Sequence, residues 1–275
     1  MDSRASAIIL AGNGTNCENE SAHVCRLAGF DAVDIVMIWD LLQGEASLDP
    51  YDFLVFPGGF LDGDDLGAGK AQANRFLNST VEKTGERLFD QVRRFINRGN
   101  LVLGICNGFQ LMVKLGLLPA LDAEYGRQSV TLTNNDSGRF EDRWVWLKAN
   151  PASPCVFTRG VDRIYLPVRH GEGKFVAKDS HLLDRIIDGN QAVFTYIDPA
   201  NGKTTFTYPD NPNGSQAAIA GICDPTGRLF GLMPHPEAYS RRTNHPRWTR
   251  ENLPEEGAGM AIFRNACEYV RARKK

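Results

Sequence analysis

No apolar run in this sequence approaches the length of a membrane span. The first, Ala7-Ile8-Ile9-Leu10, comes soon after Met1-Asp2-Ser3-Arg4. It is too short for a bilayer helix of about 20 residues or a secretory signal core of about 7 to 15. A cytoplasmic protein with no membrane partner is expected. Cysteine pairing is missing as well: the six cysteines, at positions 17, 25, 106, 155, 223 and 267, show no CxxC spacing. Neither a metal site nor a disulfide framework is therefore expected, and the reducing compartment this implies keeps a reactive thiol usable. There is no Gly-x-x-x-x-Gly-Lys-Ser/Thr phosphate loop, so no nucleoside triphosphate is expected on this chain. Excess charge is lacking too. Thirty-one basic against 33 acidic residues leave a net charge of -2, and the one dense basic run is the terminal Arg271-Ala272-Arg273-Lys274-Lys275. That pattern excludes a nucleic-acid-binding face as the main feature of the surface. With no internal repeat and no low-complexity linker, residues 1–275 are read as one domain.

What is present is an alternation of strands and helices. Residues 7–11, 34–39, 52–56 and 101–105 are apolar runs bounded by turn residues, and the last is continuously hydrophobic, as strands buried on both faces are. Between them lie helical spacings through Val24, Leu27 and Ala28 and through Leu88, Val92, Phe95 and Ile96. A parallel sheet covered by helices on both sides follows, with ligands at the carboxyl ends of its strands. From residue 128 to 234 the runs 144–147, 164–168, 192–196 and 229–233 are short and separated by Gly, Pro, Asn and Asp, and read as further strands of the same domain. A helix over about 258–271 closes the chain.

Gly104-Ile105-Cys106-Asn107-Gly108 sits where a buried strand turns into a helix over residues 109–115. Such an elbow holds its central side chain clear of the sheet, with glycines removing flanking clashes. The helix N-terminus behind it stabilises negative charge near the sulfur. The other five cysteines lack an elbow and are assigned to packing. A nucleophilic cysteine needs a base and a group to orient that base. His235-Pro236-Glu237 follows an apolar run, and in an extended segment residues two apart share a side. His170-Gly171-Glu172 has the same spacing and stays open as a second pair. Phe56-Pro57-Gly58-Gly59-Phe60 places a glycine pair after a strand. There backbone N–H groups approach a ligand and, with the amide of Asn107, supply an oxyanion hole. His23 and His181 read as surface residues.

These residues resemble the class I glutamine amidotransferases, and among them the glutaminase subunits of phosphoribosylformylglycinamidine synthase. The resemblance spans nearly the whole chain. It is carried by Gly12-Asn13-Gly14-Thr15-Asn16-Cys17, the Phe56–Phe60 segment with Gly63-Asp64, and Gly104-Ile105-Cys106-Asn107-Gly108-Phe109-Gln110. Asn135-Asp136-Ser137-Gly138-Arg139-Phe140-Glu141, His170-Gly171-Glu172-Gly173, Asn211-Pro212-Asn213-Gly214-Ser215 and Met233-Pro234-His235-Pro236-Glu237 complete it. It implies an α/β, flavodoxin-like class I glutaminase fold: a largely parallel central sheet, helices on both faces and extra strands from the C-terminal half. It implies that Cys106, His235 and Glu237 hydrolyse glutamine through a glutamyl thioester, with Gly58, Gly59, Phe60, Asn107 and Gln110 at the oxyanion hole and substrate. Ammonia would pass to a synthetase subunit that holds ATP and magnesium, sometimes with a small third subunit, and this chain would bind no cofactor of its own.

Two segments are longer than in the shortest members. Residues 66–87 read as a polar insertion, and 240–256 as a loop carrying Arg241, Arg242, Arg247, Trp248 and Arg250. Arg247 and Trp248 are expected to face the synthetase subunit, and His170 and Glu172 to serve a channel or partner contact. Cysteine hydrolases of related fold, the chaperone-like proteases and deglycases, usually place histidine beside the nucleophile, where this chain has Asn107. A different class I amidotransferase subunit, or a degenerate regulatory subunit lacking the triad, completes the alternatives.

Overall fold

The computed structural model describes residues 4–275. The order of elements is β1 (Ser6–Ala11), α1 (Glu18–Ala28), β2 (Ala32–Met37), α2 (Ile38–Gln43), β3 (Phe53–Phe56), α3 (Lys70–Asn78), α4 (Leu88–Asn97), β4 (Leu101–Ile105) and α5 (Asn107–Lys114). Then follow β5 (Val130–Thr133), β6 (Glu141–Ala149), β7 (Arg163–His170), β8 (Lys174–Ala177), α6 (Ser180–Asp188), β9 (Ala192–Tyr196), β10 (Ile219–Cys223), β11 (Leu229–Leu232) and α7 (Met260–Arg273).

Nine strands form one sheet in the order β2-β1-β3-β4-β11-β10-β9-β6-β7. The strands from β2 to β11 run parallel, and the rest continue the sheet antiparallel. Strands β1, β3, β4 and β11 are buried at every position, which is why their sequences are apolar without alternation. Crossovers from β1 to β2 and from β3 to β4 run in opposite directions across the sheet. With right-handed connections, α1 therefore lies on one face and α3 with α4 on the other. α7 packs beside α1, and α5 beside α3.

One connection decides where the site forms. After more than a hundred residues in the antiparallel half, the chain returns as β11 and pairs parallel with β4, Leu232 beside Ile105. On the other side of β4, Phe56 of β3 lies beside Gly104. The residues that follow β3, β4 and β11 thus emerge together at one sheet edge, next to the switch point between β1 and β3 where such folds hold ligands.

Residues 66–87 depart from the expected loop. They contain α3, whose Gln72, Ala73 and Phe76 are buried, with the Phe76 ring edge-on to Phe56 at 5.8 Å between centroids. The polar residues that make the segment read as an insertion lie on its outer side. The expected strand over 34–39 stops at Met37, because Ile38 and Leu41 turn inward on α2. A separate two-stranded sheet of β5 and β8 also went unpredicted; its strands are only four residues each.

Candidate functional site

Cys106 lies between the end of β4 and the first turn of α5, with φ 51° and ψ -106°. A side chain in that region costs about 1–3 kcal/mol, which the surroundings must sustain. They do so through close packing. The Cys106 amide donates to the Leu232 carbonyl at 2.8 Å, and a Cβ on Gly108 would lie 1.8 Å from the Phe56 carbonyl oxygen. The flanking glycine is therefore dictated by the approach of the elbow to β3. The thiol itself is buried and donates to the Arg169 carbonyl at 3.4 Å.

His235 leaves β11 at the same edge, its amide bonded to the Pro167 carbonyl at 2.8 Å. Residues Pro236–Ala238 form a 3₁₀ turn rather than the extended segment expected. The turn still brings Glu237 Oε1 to 2.6 Å from His235 Nδ1, with both side chains almost fully buried. Burial alone would lower the His235 pKa. The Glu237 carboxylate, followed by the sulfurs of Cys106 and Cys17, outweighs it and holds the imidazole well above the ordinary histidine value. His235 is therefore held as an imidazolium over a carboxylate. Its Nε2 is buried and has no hydrogen-bond partner among the described residues.

Gly58 backs this ring. A Cβ there would stand 2.8 Å from His235 Cε1 and 3.3 Å from Cys17 Sγ. Gly58→Ala is expected to push the imidazole off its position and lower kcat at this site by about 100-fold, with KM little changed. Steady-state kinetics check this, and a full-rate variant would remove Gly58 from the site.

Cys17, expected from the sequence to serve packing alone, lies instead at the site, its sulfur 4.0 Å from His235 Nδ1. Its amide and that of Asn16 both donate to the Gly58 carbonyl at 3.2 Å, so the loop after β1 and the loop after β3 are tied together behind the histidine. Burial raises the Cys17 pKa against the opposing bond to His235, keeping it a thiol.

A cleft of about 140 Å³ opens above Cys106, lined by Gly59, Phe60, Asp64, Ala68, Gln110, Phe140, Arg169, His170, Gly171 and Glu172. The Gly59 amide donates to no backbone acceptor among the described residues, and Asn107, at the first helical position, has no intrahelical acceptor for its own. Both residues are among those expected from the sequence to offer N–H groups to a ligand, and Gly59 lines the cleft. The Asn107 side chain is otherwise engaged: its Oδ1 accepts from the Leu61 amide at 2.9 Å, and its Nδ2 donates to Asp64 and to Gln110 Oε1. Gln110 Nε2 donates to the Glu172 carbonyl, while Glu172 Oε2 accepts from the Ala68 amide at 3.2 Å. One chain of bonds thus holds the 61–69 loop across the cleft to the turn after β7. Phe60 and Phe140 stay about half exposed at its mouth, ring centroids 6.2 Å apart.

His170 is not available at the surface for a partner. It is 3% exposed, and burial, with the nearby charge of His235, drives its pKa down to about 3. Asn135 Nδ2 donates to the carbonyls of Arg139 and His170. Its Oδ1 therefore accepts, at 3.0 Å, from His170 Nδ1. The Asn211–Ser215 motif anchors the same turn, with Asn213 and Ser215 both donating to the Gly173 carbonyl. Arg247 and Trp248 are exposed, outside the cleft. Arg247 pairs with Glu251 at 3.4 Å, and their loop is fixed by buried His245 against the rings of Trp144, Tyr165 and Tyr239.

Comparison with known proteins gives a consistent result. Residues 4–270 match the CobB/CobQ-like glutamine amidotransferase domain. The chain is 45% identical over 269 residues to phosphoribosylformylglycinamidine synthase subunit PurQ of Dehalococcoides mccartyi, covering 98% of this chain and 99% of that one. It is 38% identical over 242 residues to phosphoribosylformylglycinamidine synthase of Drosophila melanogaster, 86% of this chain but 17% of that much longer protein. Among solved structures, PurLQS from Thermotoga maritima contains a chain that superposes with a TM-score of 0.70 at 26% identity, covering 97% of this chain and 99% of that chain. Identity of that depth over the full length makes this chain a member of the PurQ family of phosphoribosylformylglycinamidine synthase subunits, built on a glutamine amidotransferase domain.

Proposed function

We propose that this chain is the glutaminase subunit of phosphoribosylformylglycinamidine synthase. It hydrolyses glutamine to glutamate and ammonia and delivers the ammonia to a synthetase subunit that makes formylglycinamidine ribonucleotide in purine biosynthesis. The observation that carries the reading is that Cys106 and the His235–Glu237 pair, whose Nδ1 and Oε1 are 2.6 Å apart, follow the adjacent strands β4 and β11 at one sheet edge. The Cys106 sulfur, as thiolate, attacks the side-chain carbonyl carbon of glutamine. The amides of Gly59 and Asn107 take the charge that develops on oxygen. Imidazolium His235 gives its Nε2 proton to the departing nitrogen; ammonia leaves, and a glutamyl thioester remains. Neutral His235 then removes a proton from water, the hydroxide displaces the sulfur, and glutamate is released as thiolate and imidazolium re-form.

ATP and magnesium belong to the synthetase partner, and the chain works as one domain in the cytoplasm. Arg247 and Trp248 face the synthetase: buried His245 braces their loop against the rings of Trp144, Tyr165 and Tyr239, and the loop presents both side chains to solvent. Trp248→Ala combined with Arg247→Ala is expected to weaken capture of the synthetase in a pull-down, and undiminished capture would discard that interface. The glutaminase reading is tested by a glutamine analogue with an electrophilic carbon in place of the amide. In the reconstituted complex it should add one covalent equivalent at Cys106, located by peptide mass spectrometry; an unlabelled Cys106 would refute the assignment.

A further inference from the structure

Cys17 Sγ, His235 Nδ1 and a Glu237 carboxylate oxygen lie within 4.8 Å of one another, all three residues buried. No sequence spacing announces the group, since Cys17 and His235 are 218 positions apart. We propose that these side chains form a binding site for a thiophilic divalent cation, Zn²⁺ being the type, and that its occupation switches the glutaminase off.

The donors are those zinc selects: one sulfur, one imidazole nitrogen and one carboxylate oxygen. Zinc bonds of about 2.3 Å to sulfur and 2.0 Å to nitrogen at a tetrahedral angle span about 3.5 Å. The observed 4.0 Å between Cys17 Sγ and His235 Nδ1 needs only a small closure. Glu237 contributes a donor: its Oε2 is buried with no hydrogen-bond partner among the described residues, and the bond from Nδ1 to Oε1 opens when the metal replaces that proton. Gly58 leaves the side of the ring open, where a Cβ would press on both His235 and Cys17. With three protein ligands, a fourth position stays open to water.

Binding expels two protons, one from the Cys17 thiol and one from Nδ1 of the imidazolium, and leaves the Nε2 proton in place. With Nδ1 on the metal, release of that last proton would create an imidazolate, so proton delivery to departing ammonia stops. The inhibitory consequence rests on the proposed role of His235; the binding does not.

Zn²⁺ affinity of the full chain, measured by competition with a chromophoric chelator, separates the two. Wild type and Cys106→Ala should each bind one equivalent, while Cys17→Ala should bind about 100-fold more weakly, at least as much as loss of a supporting group costs. Cys17→Ser, nearly the same size but without sulfur, should also lose zinc, which guards against an alanine variant that fails to fold. In the complex, Zn²⁺ should inhibit the wild type reversibly, a chelator should restore it, and Cys17→Ala should keep a larger fraction of its own metal-free rate. Zinc retained by both Cys17 variants and lost by Cys106→Ala would overturn the proposal, since the cation would then bridge the nucleophile. Zinc bound through Cys17 without inhibition would uphold the site and remove its regulatory meaning, and with it the role given to His235.

Discussion

Cys106→Ala in the reconstituted complex is expected to lose glutamine-dependent amidine formation by about 10⁴-fold or more, while an ammonium salt supplied in place of glutamine still supports the reaction. In the proposed mechanism the Cys106 sulfur forms the bond to the substrate carbon, and no step provides a substitute for it. Cys17, the other sulfur that touches the triad, lies on the Nδ1 side of His235, whereas the reacting proton belongs to Nε2. Little else should change, because alanine keeps the strained backbone of the elbow and removes only one buried atom. Two rates are compared, one with glutamine and one with ammonium ion. If both fell together, Cys106 would be holding the complex together rather than generating ammonia. If neither fell, the cleft would not be the glutaminase site.

Glu237→Gln should be nearly as damaging, about 10³–10⁴-fold in kcat, although it changes only one atom and leaves the volume intact. The carboxylate accepts from Nδ1 at 2.6 Å in a place from which water is excluded. It thereby fixes which nitrogen keeps its proton and offsets the cost of burying an imidazolium. A carboxamide can present its N–H₂ to Nδ1, which reverses the tautomer and places the proton on Nε2 at the wrong stage. The imidazole also loses the largest contribution that raises its pKa against burial, so it is neutral when the leaving nitrogen needs a proton. Single-turnover kinetics should show slow ammonia release with glutamine binding preserved. A kcat within a few fold of wild type would show that His235 is oriented by its backbone and by Cys17 alone.

The strands that build the site are readable because their burial is total. A strand covered on both faces must be apolar at every position, and β4 matches the expected 101–105 to the residue. The same logic fails for partly exposed elements. α3 is hidden inside a polar stretch because only Gln72, Ala73 and Phe76 turn inward, too few to mark a helical face. β5 and β8 are short, and their order comes from pairing with each other. The motif Asn211–Ser215 stands out by composition, but Asn213 and Ser215 bond a backbone carbonyl and each other, so it supports the cleft without entering it. Around His170 the packing is equally hidden from the sequence: a Cβ on Gly173 would lie 2.2 Å from its ring, so that glycine serves close packing.

By itself the sequence determined the elbow at Cys106, the neighbouring His235 and Glu237, and the alternating architecture that puts them at strand ends. Each of these depends on residues within a few positions of one another, where side-chain volume and backbone freedom act directly. Which residues meet was decided only by the tertiary structure. Leu232 lies beside Ile105 because β11 returns to pair with β4, and Cys17 touches His235 because the Gly58 carbonyl ties two loops together. Such contacts cross more than a hundred residues of chain, and they arise from burying the sheet as a whole, a free energy that no local segment carries.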